Sequence, residues 1–203
     1  MQIAEAVKAA RESEKREFKQ SFDLSINISG LDLKKPENRI SKEILLPHGR
    51  GKLAKVCLIS DSGDYEEKIG KGELESLGNN KKEAKNLARS YDFFMSEPQL
   101  MVAVGKSIGK YLGPVGKMPK VVPPGTDVNK TAQQLSKSVR LRIKDSPVIH
   151  CTVGTEDMSD SQISENVNAV LGEMKKMLPG KGKIRNAYLK LTMGKSAKID
   201  VTQ

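Results

Sequence analysis

Tryptophan is absent from this chain, and aromatic residues make up only 4% of its 203 positions. That scarcity argues against a platform on which successive bases stack, such as an RNA-recognition sheet. Only two cysteines occur, Cys57 and Cys151, far apart and in no CxxC pair, which argues against a disulfide scaffold and fits a reducing compartment. His48 and His150 are the only histidines, and neither has a Cys, His or carboxylate at ligand spacing, so no metal is expected. No apolar run approaches the roughly 18 residues of a membrane span. The stretch MQIAEAVKAARESEKREF mixes apolar and charged residues, unlike a secretory leader or an acid-poor transit peptide.

Acids are missing from two long stretches. Between Glu97 and Asp127 stand Lys106, Lys110, Lys117 and Lys120 without a carboxylate. Between Glu173 and Asp200 stand Lys175, Lys176, Lys181, Lys183, Arg185, Lys190, Lys195 and Lys198. A single run of this kind is usually a solvated face. Two runs in a chain of net charge +10 favour a polyanionic partner, nucleic acid before membrane. With so few aromatics, contacts through backbone, shape and hydroxyl groups suit folded RNA better than single strands.

Periodicity outlines the architecture. Ile3, Ala6, Val7 and Ala10 recur at helical spacing, and Phe22, Leu24, Ile26 and Ile28 alternate with polar residues as a half-buried strand. LDLKKPENR reads as a loop, and SKEILLPHGRGK as a short strand with a glycine-rich corner. LAKVCLIS, stopped by DSGD, and YDFFMS are near-continuous apolar runs, as expected of parallel strands covered on both faces. Residues 73–90 are helical in composition. EPQLMVAVGKSIGKYL reads as one helix started by Pro98, with Leu100, Met101, Val104, Ile108, Tyr111 and Leu112 as its stripe. KMPKVVPPGTD is a loop and VNKTAQQLSKS a short helix.

From Val139 the pattern returns to alternation. VRLRIK and VIHCTV are strands joined by an Asp145-Ser146-Pro147 turn. Ser159 and Gln162 form a capping box before a helix whose face is Ile163, Val167, Val170, Leu171, Met174 and Leu178. PGKGK is a break, and IRNAYLKLTM is the last strand. The expected fold class is α/β with two hinged domains. Residues 1–49 plus 138–203 form a discontinuous α+β domain, and 50–137 an inserted α/β domain with a parallel sheet. The alternative is a single mixed α/β domain.

The tripeptide GKS occurs at 105–107 and at 194–196, and GKS closes a phosphate-cradling P-loop. The motif needs a glycine five residues upstream, where Leu100 and Leu189 stand, and a helix directly after it. The first GKS falls inside an expected helix, and the second has too little chain behind it. Cys57 reads as a core residue. Cys151 and His150, as neighbours in a strand, face opposite sides and form no nucleophile–base pair. No enzyme and no cofactor are expected, and a nucleotide-binding enzyme remains only as a remote alternative.

LLPHGRGK (45–52), YLGPVGKMPK (111–120) and YLKLTMGKSAKI (188–199) resemble the family of large-subunit ribosomal protein one, the protein of the mobile stalk on the tRNA-exit side. LDLKKPENR and SYDFFMSEP are similar to its archaeal form. The resemblance runs through nearly the whole chain with its motifs in order. It implies a two-domain fold with an inserted Rossmann-like middle, and cytoplasmic residence on the ribosome as a protein that is monomeric outside it. It also implies binding to stalk RNA of the large subunit, transient contact with exit-site tRNA during release of deacylated tRNA, and in many members repression through the protein's own operon mRNA. A dedicated mRNA-binding repressor is the alternative.

By position, the resemblance places RNA contacts at Phe18, Ser21, Thr192, Met193 and Gly194. Gly194 would admit close backbone approach, Thr192 and Ser21 would offer hydroxyls, and Phe18 and Met193 would offer apolar surface. For Phe18 and Met193 plain core packing is the alternative. Arg142, Arg185 and Lys190 are further candidates for backbone neutralisation. Two positions depart from the family. Lys195 stands where Pro usually follows Thr-Met-Gly, and Asn186 replaces a Ser contact, though Asn still donates and accepts.

Overall fold

The structure is a computed structural model that describes residues 1–13, 16–35, 38–61, 65–123, 125–179 and 182–201. Its architecture is mixed α/β, as expected, and its contacts gather the chain into two compact units. Met1–Leu53 with Lys137–Gln203 form the first, and Ala54–Ser136 the second.

The first unit contains α1 (Ile3–Arg11), β1 (Ser21–Ser29) and β2 (Ser41–Leu45) from the amino-terminal segment. In the numbering of the whole chain, its later elements are β7 (Ser138–Arg142), β8 (Val148–Thr155), α7 (Asp160–Met177), β9 (Lys183–Leu191) and β10 (Ala197–Ile199). The order in the main sheet is β10-β9-β1-β8, antiparallel throughout. Alternation decides which face is covered: Phe22, Leu24, Ile26 and Ile28 of β1 are buried, as are Ile184, Ala187, Leu189 and Leu191 of β9. They share one core with Ala6, Val7 and Ala10 of α1 and with Ile163, Val167, Val170, Leu171 and Met174 of α7. Helix α7 starts where the Ser159–Gln162 capping box satisfies two orphan amides. It ends at Leu178, because a residue preceding proline is pushed out of the helical region.

The second unit holds a parallel sheet in the order β4-β3-β5-β6, made of β3 (Val56–Ile59), β4 (Lys68–Ile69), β5 (Phe93–Ser96) and β6 (Lys120–Val121). β3 and β5 are buried along their whole length. Two cores explain why. Cys57, Ile59 and Phe94 pack into one with residues of α2 (Lys71–Asn79), α3 (Lys81–Ser90), α4 (Met101–Ser107) and α5 (Gly109–Val115). Val56, Leu58, Phe93 and Met95 pack into the other with Ala132 and Leu135 of α6 (Val128–Ser136). The result is a three-layer arrangement.

Several boundaries differ from the expectation. Residues 73–90 are two helices, because the Asn80 side chain accepts from the amides of Lys82 and Glu83 and starts a new one. The single helix expected after Pro98 is a 3-10 turn, Pro98–Leu100, followed by α4 and α5, which break at Ile108. Its stripe survives the break, with Leu100, Val104, Ile108 and Leu112 all buried. The loop expected at KMPKVVPPGTD contains the short strand β6. β7 and β8 are consecutive yet belong to different sheets, since β7 pairs with β2 and β8 with β1. The last strand ends at Leu191 rather than Met193, and β10 follows it. The DSGD stop beyond Asp61 and the Gly180-Lys181 part of PGKGK lie outside the described residues.

Candidate nucleic-acid interface

Charge is unevenly shared. The first unit carries 23 Lys and Arg against 15 Asp and Glu, and the second 12 against 10. Most of the excess that would neutralise phosphates therefore sits on the first unit.

Thr192, Met193 and Gly194 form the turn that ends β9. The Gly194 amide closes it on the Leu191 carbonyl at 2.9 Å. The Thr192 amide donates to the Ser21 carbonyl at 3.1 Å, extending the β1–β9 ladder by one residue. The Thr192 side chain then completes the pairing. Its hydroxyl donates to the Ser21 carbonyl at 3.3 Å, and Oγ1 accepts the Ser21 amide at 3.2 Å. Its proton is thus used internally, and what remains for a ligand is acceptor capacity.

Met193, at the tip, is 63% exposed, and Phe18, just before β1, is 51% exposed. Core packing is ruled out for both, and two large apolar side chains stand in solvent at one end of a basic sheet. Lys190 donates to the Thr192 carbonyl at 3.4 Å, and Lys195 is exposed just past the turn.

The need for glycine at 194 is internal. A Cβ there would lie 2.7 Å from Ser13 Oγ, 3.0 Å from Leu191 Cβ and 3.1 Å from Ser13 Cβ. The absent side chain makes room for the segment after α1.

The remaining candidates lie apart. Arg185 and Asn186 are on the same strand as Thr192, but Asn186 is six residues upstream, about 20 Å at about 3.3 Å per residue. The β1–β9 register shifts between Asn27, opposite Asn186, and Ile28, opposite Ile184. This bulge leaves Arg185 and Asn186 both outside the core, between buried Ile184 and Ala187. Arg142 sits on the other sheet, opposite Ser41.

Gln20 was not singled out from the sequence, and it is 1% exposed. Its Oε1 accepts the Met193 amide at 3.1 Å and its Nε2 donates to Glu156 at 3.1 Å. Buried Asn166 was also missed. It accepts the His48 amide at 3.2 Å and donates to the carbonyls of Gly49 and Val153 at 2.7 and 2.8 Å, holding the HGRG corner. Its sequence signal is an asparagine on the apolar stripe of α7, three residues from Ile163 and four from Val170.

Nothing catalytic assembles around these groups. Both thiols are buried, and burial pushes each up to about 12, far from a reactive thiolate. His150 is exposed while Cys151 is buried, so the two do face opposite sides of β8. The first GKS lies within α4, and the second leads into β10 rather than a helix. Among the described residues no group of three or more His, Cys, Asp or Glu could hold a metal, and no helix is long and apolar enough to cross a membrane.

Comparison with known proteins supplies the lineage. The model of the ribosomal protein L1p/L10e family matches residues 10–195. A large ribosomal subunit protein uL1 from Pyrococcus horikoshii is 43% identical over 208 residues, spanning 98% of this chain and 95% of that protein. The uL1 of Methanothermobacter thermautotrophicus is 43% identical, spanning 98% of each chain. That of Thermofilum pendens is 43% identical, over 97% of this chain and 92% of its own. With a family match over most of its length and relatives at this identity, the chain belongs to the ribosomal protein L1p/L10e family, whose members are ribosomal proteins and not enzymes.

Proposed function

We propose that this protein is a structural constituent of the large ribosomal subunit, where it holds a movable segment of ribosomal RNA. The relatives' shared description as large-subunit proteins supports the location. The observation that carries the RNA contact is the Thr192–Gly194 turn. It is locked to Ser21 and Gln20, presents exposed Met193 at the same sheet end as exposed Phe18, and stands on the more basic of the two units.

In this reading the discontinuous unit recognises RNA, with Phe18, Ser21, Thr192, Met193 and Gly194 as the specific contacts and Lys190 and Lys195 as phosphate contacts. Arg142, Arg185 and Asn186 belong to a separate, backbone-directed region. The inserted unit moves on the two chain crossings, so that the stalk assists release of deacylated tRNA from the exit site. The protein works on the cytoplasmic ribosome and is monomeric when free. The same surface binds the operon mRNA and represses translation.

Filter binding of the full chain to a stalk fragment of large-subunit RNA and to the operon leader tests this. The stalk RNA should bind more tightly. A tighter leader would favour a dedicated repressor, and binding to neither would remove the RNA-binding reading.

A further inference from the structure

We infer that Gln20 and Glu156 are positioning residues for the Thr192–Gly194 turn, with Glu156 acting through Gln20. The inference rests on the reading of that turn as an RNA contact. Four hydrogen bonds define the arrangement. The Glu156 amide donates to the Gln20 carbonyl at 3.2 Å, and the Gln20 amide donates back to Glu156 Oε2 at 3.0 Å. Gln20 Nε2 donates to Glu156 Oε1 at 3.1 Å, and Gln20 Oε1 accepts the Met193 amide at 3.1 Å.

The count of donors and acceptors gives Glu156 its role. A glutamine side chain offers one acceptor end and one donor end, and at this buried position the two ends face different elements. If the amide turned over, Nε2 would meet the Met193 N–H donor to donor, and Oε1 would meet a carboxylate acceptor to acceptor. Glu156, which presents only acceptors, forbids that orientation and so aims Oε1 at the turn. The backbone that carries Glu156 is itself held from behind. Arg11 Nη1 donates to the Glu156 carbonyl at 2.9 Å, Arg11 Nη2 donates to the Met158 carbonyl, and Arg11 Nε pairs with Asp160 at 2.5 Å. A chain of polar contacts thus runs from the last residue of α1 to the backbone of the exposed methionine.

The same count predicts an unusual pattern of mutational effects. In Glu156→Gln one end of the new amide must be a donor, so any arrangement leaves two donors facing each other at Gln20 or at Met193. In Gln20→Glu two carboxylates meet. The double variant, Gln20→Glu with Glu156→Gln, exchanges the two side chains. The carboxylate at position 20 then accepts from both the Met193 amide and the side-chain NH2 at position 156. The side-chain carbonyl at position 156 accepts the backbone amide of residue 20. Every bond is restored with no change in total charge, size or shape.

The test uses the full chain, a stalk fragment of large-subunit RNA, and the Met193 amide observed by 15N NMR without RNA. Each single variant should bind about tenfold more weakly, the size of one lost hydrogen bond, and should shift the Met193 amide and speed its exchange. The double variant should return the affinity to within about twofold of wild type, and the amide with it. If a single variant fails to fold, the comparison of the double variant with wild type still decides. Singles that leave the Met193 amide and the affinity unmoved, or a double as weak as the singles, would overturn the inference. Failure of the wild type to bind the RNA would refute the interface instead, and the amide response would still decide the positioning.

Discussion

Gly194→Ala isolates the internal packing of the turn. Gly194 is not among the residues with positive φ, so alanine fits the backbone and only its Cβ matters. That carbon would stand 3.0 Å from Leu191 Cβ and 3.1 Å from Ser13 Cβ, both too close for carbon contacts near 3.5–4.0 Å, and 2.7 Å from Ser13 Oγ. The hydroxyl can rotate away, but the two Cβ atoms move only with their backbones. The turn must therefore separate from the segment after α1 by several tenths of an ångström. Overpacking of this kind costs about 1–3 kcal/mol, and the lower entropy of an unfolded alanine offsets about 0.4–1, leaving a net loss of about 1.3 kcal/mol at the middle of both ranges.

Ser13→Ala sharpens the experiment. Among the described residues the buried Ser13 hydroxyl has no hydrogen-bond partner, so its removal should itself stabilise by about 1 kcal/mol. It should also recover part of the Gly194→Ala loss, since it removes the nearest atom but not the two Cβ contacts. Urea unfolding at unchanged slope reads both effects, and a double-mutant cycle reads their coupling. A Gly194→Ala protein as stable as wild type, or a cycle without coupling, would refute this account of the glycine.

Three further outcomes are expected. Met193→Ala and Thr192→Ala should each weaken stalk RNA binding by about 1–3 kcal/mol in filter assays, whereas unchanged affinity in both would remove the turn from the interface. Asn166→Leu should destabilise the protein by about 3 kcal/mol or more in urea, because it orphans the Gly49 and Val153 carbonyls and the His48 amide together. The hydrogen bond from Lys176 at 2.8 Å, with its charge and that of Lys42, holds the Glu173 carboxyl below its ordinary value of 4.5. A lowered folded value means its contribution is present above pH 4.5 and is lost as pH falls through the lowered value. In urea unfolding across pH, Glu173→Gln should therefore lower stability above pH 4.5, leave the acid end nearly unchanged, and so flatten the acid-side slope.

What the sequence made legible follows from which forces are periodic. Burial on one side of a helix or strand repeats every 3.6 or 2 residues, so α1, β1 and α7 could be read almost to the residue. The buried pair Val56–Ile59 and Phe93–Ser96 showed as unbroken apolar runs because both faces are covered. Two-residue strands such as Lys68–Ile69 and Lys120–Val121 leave no period to detect, and their pairing depends on neighbours distant in the chain. The partner of β7 was equally hidden, since the short Asp145–Pro147 connection suggests β8 while the ladder forms with β2.

The site divides in the same way. Phe18, Ser21 and Thr192–Gly194 came through resemblance, and geometry then assigned them unequal tasks. Thr192 holds Ser21, Gly194 yields space to Ser13, and only Phe18 and Met193 point their apolar bodies outward. Gln20 and Glu156 were invisible because they lie 136 residues apart and each looks like an ordinary surface polar residue.

Oxidative footprinting of side chains tests the central claim most directly, because the thioether of Met193 and the ring of Phe18 are both reactive and exposed. Met118 of the second unit, 46% exposed, is the internal control. On addition of stalk RNA to the full chain, Met193 and Phe18 should lose reactivity while Met118 keeps it. Protection of Met118 with Met193 and Phe18 unchanged would contradict the assignment of RNA recognition to this turn.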